Sequence, residues 1–327
     1  EVGIDPVKDR CATFSRLSYY SVVAVAVYYT LSKHCQGKIL YSFLSGVVGW
    51  LIGSMGHDAG HFSVSRIPFV NNVCTWGMLL LCNPIMWQYQ HTYGHHSHTN
   101  DYELDPDLHH FTIFMRYHRR MIYDKVYKNQ QSWFYVILNY TSVTFGECIK
   151  IPWDVILSND MYGIVHLEKN FLKKVGLCFH YVAYVGGIIV MPFFHTSALQ
   201  AFACMMIHMI TTGLLFAFFS QINHINEAAI EPDQSGKWAN SWAATQVETS
   251  NNFAPHSFFM HVFSNGLNMQ IEHHLFPGLN HCHLHHIAPV VKATCEEYGV
   301  RYKCYDTWSE LFGATLQWLE KLSSASI

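Results

Sequence analysis

Four long apolar runs stand out along the chain, and polar stretches separate them. The first two are near the lower length limit for a bilayer crossing, which takes roughly 17 to 25 residues, and the last two are clear spans. The uncharged link between the last two predicts a tight turn. The pattern therefore predicts four transmembrane helices, over residues 17–31, 39–55, 175–194 and 198–220.

The stretches between and after these runs are polar or only partly apolar. With four spans, residues 56–174 and 221–327 fall on one side of the membrane together with both termini. Arginines and lysines between Arg116 and Lys128 place this side in the cytosol by the positive-inside rule. We therefore predict a cytosolic helical cap with an interfacial segment at Phe69–Trp87 and a single amphipathic interfacial helix over Trp133–Ile149. Two further amphipathic helices are predicted over Ile287–Tyr298 and Trp308–Leu322.

Composition agrees with an all-α membrane protein. Half of the 327 residues are hydrophobic and 13% are charged, about half the charged share of an ordinary soluble domain. A net charge of −3 gives no basic surface for nucleic acid. Ten cysteines occur without a CxxC pair. No linker divides the chain, so one domain over 1–327 is predicted.

Histidine is the residue type that points to chemistry. The 23 histidines outnumber the 20 lysines and arginines, and imidazole is the commonest protein metal ligand. Seven histidines form three clusters, with Gln270 just before the last cluster: His57 and His61; His91, His95 and His96; His273 and His274. The spacing of four residues within the first two clusters predicts helices that bring these rings onto one face. Seven imidazoles exceed the needs of one tetrahedral zinc, so two ions are predicted, and nitrogen ligands suit Fe, Zn, Cu or Ni. A membrane zinc hydrolase and a metal-binding receptor or transporter remain alternatives.

The three clusters resemble the histidine boxes of the membrane fatty acyl desaturases. The boxes read His57-Asp-Ala-Gly-His61, His91-Thr-Tyr-Gly-His95-His96 and Gln270-Ile-Glu-His273-His274. Gln270 and the following Leu275-Phe-Pro277 are similar to the front-end branch, which includes the delta-5 and delta-6 desaturases. Thr99-Asn100, Asp105-Pro-Asp107 and Gln246-Val-Glu-Thr249 add to the resemblance, which covers roughly residues 56–306.

The resemblance implies an O2-dependent enzyme that places a cis double bond in a long-chain (poly)unsaturated acyl chain. It implies two irons bound by the seven box histidines and by His224, with Gln270 as a direct ligand, a holder of bound water or a hydrogen-bonding group. It also implies an acyl-lipid or acyl-CoA substrate, electrons from cytochrome b5 and its reductase, and the endoplasmic reticulum membrane. The His-Pro-Gly-Gly haem motif of the fused cytochrome b5-like domain is absent from this chain, so a preceding domain or a separate cytochrome b5 supplies the electrons. A sphingolipid long-chain-base desaturase and an acyl hydroxylase are the nearest alternatives.

Other polar residues near the boxes receive supporting roles. Asp58 is predicted to orient an imidazole from outside the ligand set, and Asp105, Asp107 and Glu272 either do the same or face water. His98 is assigned to the surface or to such a supporting position. We expect neighbouring helices to satisfy the histidines in or between spans, His180, His195 and His208, and we expect His281, His283, His285 and His286 to form a polar cytosolic surface.

Overall fold

The computed structural model describes residues 3, 5, 8–110, 112–229 and 241–324, so residues 111, 230–240 and 325–327 of the predicted cap lie outside this description. The chain separates into two compact units. We call Thr13–Thr92 with Tyr140–Ala217 the span unit, and Glu1–Ala12 with Tyr93–Asn139 and Phe218–Ile327 the polar unit. The assignment of 1–327 to a single domain stays a prediction.

The span unit is built of helices. Its first helix begins after Thr13, whose hydroxyl accepts a hydrogen bond from the Arg16 amide, and Asn83 and Asn170 cap later helices in the same way. The helices that lie or begin in this unit are Phe14–Cys35, Ile39–Gly60, Pro68–Cys74, Thr75–Leu80, Pro84–Trp87, Gln88–His95, Val143–Phe145, Gly146–Lys150, Ile151–Ser158, Phe171–Tyr184, Val185–Val190, Met191–Phe194 and Ala198–Ser220. Asp160–Met161 and Val165–His166 form a short antiparallel ladder.

Three helical segments of the described residues are long and apolar enough to cross a bilayer, namely Ile39–Gly60, Phe171–Phe194 and Ala198–Ser220. They contain the second, third and fourth predicted spans. Pro68–Leu80 and Pro84–His98 would add a fourth if this pair, bent by 113°, crosses as one span. Length and composition identify these segments but not the direction in which each would cross the membrane, so the side that each end faces stays a prediction.

The first predicted span lies in a helix that does not share this apolar character. Phe14–Cys35 has 22 residues, which is long enough, but Arg16 and Lys33 stand near its ends, and serines and tyrosines dilute its apolar surface. That it crosses the membrane therefore stays a prediction. The predicted single helix Trp133–Ile149 is wrong, because the helix Trp133–Tyr140 ends before the polar pair Thr141 and Ser142 and shorter helical segments follow.

Two buried histidines of the span unit, His180 and His208, each form a hydrogen bond to a neighbouring helix, as predicted. The His180 Nε2 lies 2.8 Å from the Leu79 carbonyl oxygen, and the His208 Nδ1 lies 2.8 Å from the Ser45 hydroxyl. Such partners offset the loss of water around a polar ring. His195, in contrast, is exposed.

The polar unit combines short helices with one two-residue parallel ladder between Asn252–Phe253 and Cys304–Tyr305. A core of Val247, Ile271, Val291 and Cys295 joins three of its helices and includes the helix of the third box. The helices that lie or begin in this unit are His96–His98, Pro106–His109, Lys125–Asn129, Trp133–Tyr140, Glu227–Ala229, Trp242–Glu248, Phe258–Phe263, Leu267–Met269, Gln270–Leu275, His281–His283, Leu284–Tyr298 and Trp308–Lys321.

The last two of these helices confirm the amphipathic helices predicted near the C-terminus. Leu284–Tyr298 ends at Gly299, which has a left-handed φ of 66° that favours glycine. Trp308–Lys321 begins at Thr307, whose hydroxyl accepts from the Glu310 amide at 3.2 Å. The Glu310 carboxylate accepts from the Asp306 amide, one residue earlier than the expected capping-box partner.

Candidate metal centre

The first histidine box closes the long helix Ile39–Gly60. His57 lies in its last turn and His61 is the capping residue, whose amide donates to the His57 carbonyl oxygen at 3.2 Å. Four residues of helix therefore bring the two rings onto one face, with 4.9 Å between ring centroids. The spacing alone predicted this pairing.

The second box departs from the predicted α-helix. Gln88–His95 is π-helical, and a short α-helical segment, His96–His98, follows it. A π-helix closes its hydrogen bonds at i→i+5, so its turn is wider than that of an α-helix, and such segments are frequent at functional sites. The boundary between the two units falls inside this box, after Thr92. His91 therefore belongs to the span unit, and His95 and His96 belong to the polar unit.

In the span unit, His57, His61 and His91 form a buried group that we call the span cluster. Their ligand nitrogens lie within 4.8 Å of one another, and the Nε2 atoms of His57 and His91 are 3.1 Å apart. Two imidazole nitrogens that bind one ion at about 2.1 Å stand roughly 3 to 3.4 Å apart, so this separation fits two ligands of the same ion.

Aromatic packing orients the span cluster. The indole of Trp87 stacks on the His91 ring, with 4.8 Å between centroids and 17° between planes, and it also contacts His57 at 5.4 Å. Gly60 leaves room for this indole, because a Cβ at that position would collide with the Trp87 ring. The Thr92 hydroxyl donates to the Gly60 carbonyl oxygen at 3.4 Å.

In the polar unit, His95, His224 and His274 form a second buried group, the polar cluster. Their ligand nitrogens also lie within 4.8 Å of one another. The structure thus brings together one histidine from the second box, one from the third, and the histidine predicted after the last span. This grouping joins positions up to 179 residues apart along the chain.

Each ring of the polar cluster has an oxygen acceptor at its Nδ1. His95 Nδ1 lies 2.9 Å from the Asp105 carboxylate, and His224 Nδ1 lies 2.9 Å from the Thr249 carbonyl oxygen. His274 Nδ1 lies 2.9 Å from the Gln246 amide oxygen and 3.2 Å from the Thr99 hydroxyl, which completes the set. A proton held at Nδ1 leaves the Nε2 lone pair free for a metal, which is the usual arrangement of metal-binding histidines. The residues present therefore fit a divalent ion.

Asp105 is the charged member of this set of acceptors. Burial by itself lowers the pKa of His95, but the charges of Asp105 and Asp107 and the hydrogen bond to Asp105 outweigh it and raise the pKa. Asp105 also accepts from the Asn100 and Asp107 amides, at 2.8 and 2.9 Å, so its carboxylate is held in place. The Asp107 carboxylate lies farther from His95 Nδ1, at 3.7 Å.

His96 and His273 form a further pair in the polar unit, with their Nε2 atoms 3.1 Å apart. Both rings are buried. Gln270 points into the polar cluster, with its amide nitrogen 2.9 Å from His224 Nε2 and 3.2 Å from His274 Nε2. Exchange of the amide oxygen and nitrogen would turn the oxygen toward the same atoms, so the carboxamide can face a bound ion or water.

Two of the predicted supporting carboxylates have partners other than imidazoles. The Asp58 carboxylate accepts a hydrogen bond from the Tyr20 hydroxyl and lies 3.5 Å from the Arg16 guanidinium, which ties the first box to the helix Phe14–Cys35. The Glu272 carboxylate does not face water. It is fully buried and accepts from the Asn252 amide and the Tyr302 hydroxyl, and burial raises its pKa.

The expectation that the four histidines after the third box form a polar surface is wrong for half of them. His285 and His286 are exposed, but His281 and His283 are buried. His98 is exposed, as predicted for a surface position. The sequence identifies Thr99, Gln246 and Thr249 only as part of the family resemblance, and their positions beside His224 and His274 come from the structure. The ligand roles themselves stay predictions.

Comparisons with known proteins agree with the sequence pattern. A family model described as fatty acid desaturase matches residues 36–306. The chain is 29% identical to an sn-1 linoleoyl-lipid 6-desaturase of Synechocystis over 84% of its length and 77% of the relative's. It is 30% identical to an acyl-lipid (8-3)-desaturase of Physcomitrium patens, over 86% of this chain and 61% of that one. It is 27% identical to an acyl-lipid (8-3)-desaturase of Mortierella alpina, over 98% and 74%.

Proposed function

The chain belongs to the fatty acid desaturase family, and we propose that it is an O2-dependent front-end desaturase of long-chain polyunsaturated acyl lipids. The family prediction made from the three histidine boxes is confirmed. The observation that supports the chemistry best is the polar cluster, where three buried imidazoles each have an oxygen acceptor at Nδ1. This arrangement suits a metal-dependent oxidoreductase.

Two iron ions are the proposed cofactor. The span cluster would hold one ion, and the polar cluster would hold the other, with Gln270 beside it. His96 and His273 would be further ligands. When bound, the irons would supply the activation of O2 that abstraction of hydrogen from an unactivated carbon requires. Imidazole sets also suit zinc, so the identity of the metal is part of the proposal.

The protein's own part in the reaction is to hold the ligands and to exclude water. The reaction removes one hydrogen atom from each of two adjacent carbons, and with two electrons and two protons it reduces O2 to two waters. The hydrogen bonds at Nδ1 of His95, His224 and His274 fix the rings before a metal binds, so less ordering is needed on binding. Burial of the rings keeps bulk water from the ligand nitrogens.

The branch and the substrate carrier rest on the relatives and on Gln270. Two relatives are named as an sn-1 linoleoyl-lipid 6-desaturase and an acyl-lipid (8-3)-desaturase, which supports a lipid-bound acyl chain and a front-end position. Acyl-CoA is the alternative carrier. A sphingolipid long-chain base is the alternative substrate, and an acyl hydroxylase is the alternative reaction on the same scaffold.

The electron donor and compartment are further parts of the proposal. Cytochrome b5 with its reductase would deliver the two electrons, from a separate protein or from a domain outside the given sequence. We place the enzyme in the endoplasmic reticulum membrane with its metal centre toward the cytosol, because basic residues lie on the predicted cap. A chloroplast membrane is the alternative compartment, since one relative is named as chloroplastic.

Expression of the chain with a cytochrome b5 in yeast fed defined polyunsaturated acids tests the activity. We expect a new double bond between an existing one and the carboxyl end, located by mass spectrometry, and two irons in the purified protein. Expression of His91→Ala at the same level is the control and should give no product. One zinc and no iron per chain, with no new double bond, would overturn the desaturase proposal and favour a membrane zinc hydrolase.

A further inference from the structure

His281 lies in a buried chain of hydrogen bonds that ends on a proposed metal ligand. Its Nε2 is 3.0 Å from His273 Nδ1, and its Nδ1 is 2.6 Å from the Asn265 carbonyl oxygen. The side chain is 1% exposed. The hydrogen bonds therefore run in series from the Asn265 carbonyl oxygen, through the two ring nitrogens of His281, to the ring of His273.

The carbonyl at the end of this chain determines where the protons are. A carbonyl oxygen only accepts, so the Nδ1 of His281 carries a proton, and the Nε2 of the neutral ring is left with a lone pair. That lone pair accepts from His273, which places the His273 proton on Nδ1. The Nε2 of His273, which lies 3.1 Å from His96 Nε2, is then unprotonated and able to bind a metal.

A tight turn brings the Asn265 carbonyl to His281. Asn265 and Gly266 both have left-handed backbones, with φ of 60° and 87°. A Cβ at position 266 would lie 2.7 Å from the His281 Cβ and 2.8 Å from its Nδ1, so only glycine fits both the conformation and the space. The turn and the histidine are thus matched to each other.

We propose that His281 is a positioning residue that fixes the proton and the ring orientation of His273. It does for His273 what oxygen acceptors do for His95, His224 and His274, namely accept the Nδ1 proton so that Nε2 faces the metal. The difference is that this acceptor is itself an imidazole and depends on the Asn265 carbonyl for its own orientation. This inference rests on the metal centre of the proposed function.

Metal retention by the purified full chain tests the proposal without relying on turnover. For His281→Leu we expect an affinity for bound metal about 10- to 100-fold lower than that of the wild type, seen as faster loss to a chelator. His281→Gln should recover most of this loss, because the glutamine amide oxygen can accept the His273 proton. The matched control is His283→Leu in the same turn, since His283 Nε2 contacts the Cys11 carbonyl oxygen at 2.9 Å.

The outcomes separate a positioning role from a structural one. Thermal unfolding of each variant is measured beside the metal content, and if His281→Leu does not fold, His281→Phe, which keeps a ring but no acceptor, is compared with His283→Phe instead. Metal retention equal to the wild type in His281→Leu would overturn the inference, as would equal losses in the His281 and His283 variants. A wild-type chain that holds zinc and makes no product would overturn the proposed function, while the effect of His281 on zinc retention would still test this inference.

Discussion

The two histidine clusters are oriented by different forces. In the polar cluster each ring is held by a hydrogen bond at Nδ1, to Asp105, Gln246 or the Thr249 carbonyl. In the span cluster the indole of Trp87 stacks on His91 and packs against His57, in a space that Gly60 leaves open. Hydrogen bonds are directional, whereas packing is sensitive to volume. Substitutions that remove a hydrogen-bond acceptor should therefore affect the polar cluster, and substitutions that change volume should affect the span cluster.

The largest expected effect is the loss of one ligand from either cluster. His91→Ala and His95→Ala should each abolish product, since both ions are needed, while each variant keeps the ion of the other cluster. Iron per chain should therefore fall from about two to about one in both variants. Product by mass spectrometry and iron by elemental analysis provide the measurement. Loss of both irons from either single variant would show that the clusters do not bind independently.

Asp105→Ala should have the next largest effect. It removes the charged acceptor of the His95 proton, so we expect about 10- to 100-fold weaker metal binding with the span cluster unaffected. Asp105→Asn keeps an acceptor without the charge and should fall between this variant and the wild type. The matched control is Asp107→Ala, since that carboxylate is 3.7 Å from His95 Nδ1. The comparison is made by titration with a competing chelator, and equal effects at 105 and 107 would contradict the role of Asp105.

The parts of the site that the sequence predicted are those set by local spacing. The pair His57 and His61 meets because a helix brings residues four apart onto one face. Two of the three acceptors of the Nδ1 protons could not be found this way, because Thr249 is 25 residues from His224, and Gln246 is 28 residues from His274. The run of polar residues around His281 predicts a surface position. Polarity along the sequence does not report burial, so the buried position of this ring was not predictable.

The fold shows the same division between local and tertiary effects. Hydropathy predicted the helices that contain the last three predicted spans, because an apolar run of this length is typical of a transmembrane helix. It did not predict the π-helical segment Gln88–His95. Nor did it predict the break after Tyr140, where Thr141 and Ser142 interrupt a segment of suitable length.

Gly60→Ala tests the packing side of the comparison. The added Cβ collides with the Trp87 ring, and overpacking of this kind costs about 1 to 3 kcal/mol. We expect a lower unfolding temperature and loss of the span-cluster ion, with the polar-cluster ion retained. Gly186→Ala is the control in the same unit, because a Cβ there meets no atom within 4 Å. An unchanged iron content in Gly60→Ala would mean that Trp87 packing does not orient the span cluster.

The smallest expected effect concerns Thr99, whose hydroxyl is the second acceptor near His274. Thr99→Val removes a contact of 3.2 Å to His274 Nδ1 and the hydrogen bonds that the hydroxyl donates to the Gln246 amide oxygen and the His95 carbonyl oxygen. Only the first of these contacts acts on a ligand ring directly, and the Gln246 oxygen stays 2.9 Å from His274 Nδ1. One hydrogen bond contributes about 0.5 to 1.5 kcal/mol, so metal binding should weaken only about two- to twelvefold. Thr245→Val is the matched control, since that hydroxyl donates to the Ser241 carbonyl oxygen. If Thr99→Val weakens binding as much as Asp105→Ala does, the Gln246 oxygen does not hold His274 on its own, and the threonine is part of one cooperative network with it.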